Sequence, residues 1–117
     1  MMPEKIKPGH ELIAAERRRQ VEELGWDSEY DDLFNNAGEL ALAAACYAHP
    51  GYDLENDFPW ERKYDSRIDT SGRLVFASNQ SPEKRIELLT KAGALVAAEI
   101  DRLQRRATKG GSGENDR

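Results

Sequence analysis

Arg17, Arg18 and Arg19 are consecutive, Arg62 and Lys63 follow Trp60, Lys84 and Arg85 open a later helical stretch, and Lys91 stands in a run of small residues. The planar fork of arginine matches phosphate oxygens in pairs, so convergence of two or three of these cations would make an anion site. Taken singly, each is an ordinary solvated surface residue. Trp26, Tyr30, Tyr52, Phe58, Trp60 and Tyr64 all fall in connections between helical stretches. There they are suited either to stacking on a nucleobase or to closing the open ends of a helical pack. Phe58-Pro59-Trp60 reads as a lid or plug.

The carboxylates offer a second chemistry. Glu16, Glu39 and Glu99 each lie on a predicted helix beside apolar or small residues, and a helical bundle can turn such groups inward around a divalent ion. The alternative is that all three are rim residues paired with nearby arginines. Asp31-Asp32 is a closer acidic pair, placed where it equally suits capping. His10 and His49 have no ligand partner at helical spacing and read as helix-end residues. Cys46, the single cysteine, excludes an internal disulfide and sits in an alanine-rich run as a small buried thiol. No glycine-rich phosphate loop and no set of nucleophile, base and orienting acid can be assembled. No metal or other cofactor is expected.

These side chains need elements to position them. The spacing of Leu12, Ile13, Ala14, Val21 and Leu24 predicts a first helix over about 10–24, with Gly25 as its stop. Residues 26–36 read as a polar and aromatic connection, with Asn35 or Asn36 as N-cap of the next helix and Glu39 in its first turns. That helix, Ala37 to Ala48, is almost all small residues, so a partner can approach closely. Residues 51–80 are irregular, with Ser71-Gly72 placed to turn a short hairpin between 67–70 and 73–77. Ser81-Pro82-Glu83 is a helix start. The helix beyond it is expected to reach about Arg106. Ile86, Leu89, Gly93, Val96, Ile100 and Leu103 recur at spacings of three and four and are expected to be its buried stripe.

The fold class expected is therefore mainly α: a compact three-helix or few-helix domain over 10–107, with a 1–9 lead-in, a long irregular aromatic connection, room for a short β-hairpin and a disordered 108–117 tail. Such a length supports one core. With 38% hydrophobic and 33% charged residues and a net charge of −5, the composition is that of a soluble protein without affinity for membranes or, non-specifically, for nucleic acid. The N-terminal residues carry no apolar run of the signal-peptide kind, so a cytoplasmic location is expected.

Three segments taken together, Ala15-Glu-Arg-Arg-Arg-Gln with Gly25-Trp26 and Tyr30-Asp31-Asp32, Gly38-Glu-Leu-Ala-Leu-Ala-Ala-Ala-Cys-Tyr-Ala, and Lys91-Ala-Gly-Ala-Leu-Val-Ala-Ala-Glu-Ile-Asp-Arg-Leu, resemble a family of small phage and prophage early-region accessory proteins. The match spans about Leu12 to Arg105 and includes Phe58-Pro59-Trp60; residues 67–80 are an insertion relative to that pattern. The resemblance implies a phage origin and residence in a host bacterial cytoplasm, without an agreed activity. The pattern is also distantly similar to the all-α MazG-type nucleotide pyrophosphohydrolases, although Ala92, Gly93 and Ala94 stand where that family would carry metal-binding acids. Small phage proteins include sponges that withhold nucleotide immune signals. The expectation favoured is a non-enzymatic, homo-oligomeric binder of a small phosphate-bearing ligand, using Arg17, Arg18, Trp26, Tyr30, Glu39, Trp60, Lys63 and Lys91. A metal-dependent phosphohydrolase and a host-protein-binding module are the alternatives.

Overall fold

The structure is a computed structural model that describes residues 6–49, 51, 54–76 and 79–109. Its helices are α1 (Gly9–Leu24), α2 (Ser28–Phe34), α3 (Glu39–Ala48) and α4 (Pro82–Lys109), with a 3-10 turn at Arg62–Tyr64 between α3 and α4. The mainly α class is as expected, with four helices and no strand among the described residues. Among the described residues no helix is long and apolar enough to cross a membrane.

Local chemistry explains the boundaries. Gly25 ends α1 at φ 75°, a left-handed conformation that costs glycine nothing, with its N–H returned to the Gln20 carbonyl. Ser81 caps α4 through Oγ, which accepts from Lys84 N at 3.1 Å. Residues 26–36, expected as a connection, instead contain α2. Asp27 caps it by accepting from Tyr30 N at 2.9 Å, and Glu29 and Asp31 lie in its first turn. The acids and amides read as turn formers are capping a short helix. Neither Asn35 nor Asn36 caps α3. Gly38 holds that position, while the Glu39 carboxylate reaches back to the Ala37 N–H at 2.8 Å.

Helix α4 is the spine on which the other helices pack, α3 and α1 most extensively and α2 less so. The core is Leu40, Ala43, Ala44 and Tyr47 of α3 against Leu88, Ala92, Leu95 and Ala98 of α4. Alanine-faced helices can approach closely because no long side chain holds the backbones apart. On α4 the expected buried stripe is the wrong face: Ile86, Leu89, Val96, Ile100 and Leu103 are 45–52% exposed. The fold buries Leu88, Ala92, Leu95, Ala98 and Arg102 instead. Gly93 is the exception on that row, because Ile13 of α1 packs over it so tightly that a Cβ there would lie 2.5 Å from Ile13 Cδ1.

The irregular connection is organised by polar anchors. Arg67 and Asp65 form a buried pair at 2.9 Å. The same guanidinium donates to the carbonyls of Leu54 and Glu55 and lies over the Phe58 ring, 5.8 Å from its centroid. Among the described residues the expected hairpin reduces to a single antiparallel bridge, Ile68 with Leu74, turned at Gly72 with φ 85°. Two such short segments lack a third strand to extend the ladder. Ala77, Tyr52 and the 110–117 part of the expected tail lie outside the described residues.

Candidate functional site

A cavity of about 600 Å³ opens between α1, the end of α3, the aromatic connection and α4. That volume is in the range of small-molecule sites. Its charged wall comes from α1. Glu16, Arg19 and Gln20 are spaced three and four apart and so share one helical face. Arg19 grips the Glu16 carboxylate with two hydrogen bonds of 2.8 Å each. Gln20 Nε2 donates to the same carboxylate at 3.2 Å. From α4, Lys91 Nζ stands 3.7 Å from Glu16 Oε2. Burial works to raise the Glu16 carboxyl, but the Arg19 hydrogen bond, the Lys91 and Arg19 charges and the Gln20 amide outweigh it and hold the group below the usual carboxylate range.

Two polar capacities in this cluster are unspent. At its distance Lys91 is an ion pair with Glu16 and not a hydrogen-bond donor to it, so its N–H groups remain available to a ligand. Gln20 is 3% exposed, and its Oε1 has no partner. A buried acceptor without a donor costs free energy, about 1–3 kcal/mol. Turning the amide over would set that oxygen against the Glu16 carboxylate, so the arrangement cannot relieve itself.

The opposite chemistry comes from the rings. Trp26 and Trp60 meet at 4.7 Å between centroids, tilted by 53°, and Tyr30 stacks on Trp26 at 6.4 Å. Phe58 meets Trp60 edge-on at 5.5 Å. Trp26, Tyr30, Trp60, Tyr47 and Tyr64 all line the cavity. The Trp60 ring is fixed from behind by a polar chain: its Nε1–H donates to Asn35 Oδ1 at 3.2 Å, Asn35 Nδ2 donates to Asp31 Oδ1 at 2.9 Å, and Arg17 lies 3.5 Å from Asp31 Oδ2. Burial pushes the Asp31 carboxyl above its ordinary value against the Asn35 hydrogen bond and the Arg17 and Arg105 charges. Tyr47 Oη donates to the Tyr64 carbonyl and accepts from Ser66 N, joining α3 to the aromatic connection.

Of the residues singled out from sequence, Trp26, Tyr30, Trp60 and Lys91 meet at this cavity, whereas Arg17, Arg18, Glu39 and Lys63 do not line it. Arg17 donates to the Trp26 carbonyl and pairs with Asp31, so it supports the wall from outside. Arg18 is exposed on α1. Glu39 bonds the Ala37 N–H. Lys63 pairs with Glu61 and lies over the Tyr64 ring. Gln20 and Tyr47 are site residues that the sequence reading passed over. The helical spacing of Ile13, Glu16, Gln20 and Leu24 was the available signal for the first.

The three glutamates considered as metal ligands are dispersed: Glu16 is held by Arg19, Gln20 and Lys91, Glu39 by the Ala37 N–H, and Glu99 by Arg102 at 2.8 Å. Among the described residues no three His, Cys, Asp or Glu side chains gather as a metal site. Cys46 is buried, its thiol pushed up by burial, and its Sγ lies 3.8 Å from the Leu54 carbonyl oxygen. No protein family, curated protein or solved structure matches the chain.

Proposed function

We propose that this protein binds, without transforming, a small planar ligand that bears an anionic group, a nucleotide being the class that best suits the cavity. The observation that carries the reading is one cavity that brings two tryptophan rings together with the available ammonium of Lys91 and the guanidinium of Arg19. A base stacks on Trp26 or Trp60, and a phosphate takes Lys91 and competes with Glu16 for Arg19. Glu16 then acts as a counter-ion that keeps both cations in place while the site is empty. With the resemblance to phage accessory proteins, the biological reading is a phage-encoded, homo-oligomeric sponge that withholds a nucleotide signal in a host bacterial cytoplasm.

Calorimetry against a panel of linear and cyclic nucleotides tests this. The expected result is micromolar binding of at least one member, weakened about 10- to 100-fold in Lys91→Ala by loss of a charge-assisted contact. Absence of binding across the panel overturns it. A second reading, a module that docks on a host protein, has its own observation in Leu33 and Phe34 of α2, which are more than 60% exposed. It predicts a stable host partner that is lost on Phe34→Ala while nucleotide heats are unaffected.

A further inference from the structure

The strongest periodicity in the sequence is one that the folded chain uses only at Gly93, under Ile13. Ile86, Leu89, Gly93, Val96, Ile100 and Leu103 follow the alternating three-and-four spacing of a helix–helix seam. Five of the six are large aliphatic residues that stay about half exposed along roughly 25 Å of α4. Isolated exposed aliphatics need no explanation, but five on one helix face at seam spacing do, two on the N-terminal side and three on the C-terminal side of the point where Ile13 covers Gly93. We infer that a second copy of this chain packs its own α4 row against this one.

Area and charge both favour that occupant. The five side chains expose roughly 400–500 Å² per copy, so a symmetric pair would bury about 900 Å² from them alone, and flanking Thr90, Ala97 and Gln104 carry the total toward the roughly 1,200–2,000 Å² of a specific interface. The charges beside the row are satisfied within the chain: Arg85 donates to the carbonyls of Tyr47 and Ala48, and Glu99 is held by Arg102. Neither of these two charges is left for an acidic or basic partner, which suits a surface as aliphatic as the row itself. Residues 110–117 contain no aliphatic or aromatic side chain with which to cover it. A two-fold contact of this kind uses the same patch on both copies.

Sedimentation equilibrium of the full chain across micromolar concentrations tests the inference. The expected mass rises toward twice the 13.2 kDa of one chain. Val96→Glu with Ile100→Glu is expected to return it to one chain with the helical circular dichroism intact. The milder Ile100→Gln, expected to weaken association about tenfold or more, serves if the double variant does not fold. A single-chain mass at every concentration, or a dimer that survives the substitutions, overturns the inference. None of the five side chains lines the cavity, so the calorimetric test of the ligand can fail or succeed independently of this one.

Discussion

Replacing Gly93 by alanine should have an effect whose sign depends on a residue in another helix. Alanine is about 1 kcal/mol better than glycine in a helix interior. The new methyl, however, would lie 2.5 Å from Ile13 Cδ1 and 2.8 Å from Ile13 Cγ1, and relieving such an overlap costs about 1–3 kcal/mol. Gly93→Ala alone is therefore expected to destabilise by about 1 kcal/mol. Ile13→Ala, at a half-buried position, should cost about 1–2 kcal/mol, below the range for a fully buried isoleucine. In the Ile13→Ala background the overlap is gone, and Gly93→Ala should stabilise by up to about 1 kcal/mol. The matter bears on the site because the same α1–α4 approach brings Glu16 to Lys91. Urea denaturation of the wild type, both single variants and the double variant measures the coupling. A Gly93→Ala effect that is equal and stabilising in both backgrounds would refute the close approach.

Three further outcomes follow from the same contacts. Arg67→Ala leaves the Asp65 carboxylate buried without its cation and should cost about 3–5 kcal/mol in chemical denaturation, loosening the connection that carries Phe58 and Trp60. Asn35→Ala removes the partner of both Trp60 Nε1 and Asp31 Oδ1 and should cost about 1–3 kcal/mol, with a shift in tryptophan emission as the second readout. The Glu16 carboxyl is held below its ordinary range in the fold, so it contributes stability above that range which is lost as pH falls through the folded value. Glu16→Gln should flatten the acid limb of the melting profile. Asp31 is raised and has the opposite sign: its contribution is present at low pH and is lost as pH rises through the raised value.

Helices α1, α3 and α4 could be read from sequence because their stop and start residues act locally. Gly25 and Ser81-Pro82 need only their own turn to do their work. Helix α2 was missed because Asp27, Asp31 and Asn35 carry loop-like composition, and only the buried Asp31–Asn35–Trp60 chain turns those polar groups into helix and wall. The α4 face was misread for a different reason. Spacing marks which residues share a side of a helix, but not which side the rest of the chain covers. Here small Ala92 and Ala98 and the aliphatic Leu88 and Leu95 won the core. The aromatic half of the candidate site, Trp26, Tyr30 and Trp60, was legible from residue type, as was Lys91. Arg17 was misplaced because three consecutive arginines on a helix point in three directions, about 100° apart, and it is Arg19 that shares a face with Glu16.

Trp26 and Trp60 are the only two tryptophans in the chain, and both line the cavity, so emission excited selectively from tryptophan reports on this site alone. Titrating the tightest-binding nucleotide of the panel while following that emission is the most direct test of the central claim. A saturable change is predicted, with the same midpoint as the calorimetric heat and with a midpoint displaced in Lys91→Ala. Heat without a change in emission, or neither signal for any nucleotide, would contradict it.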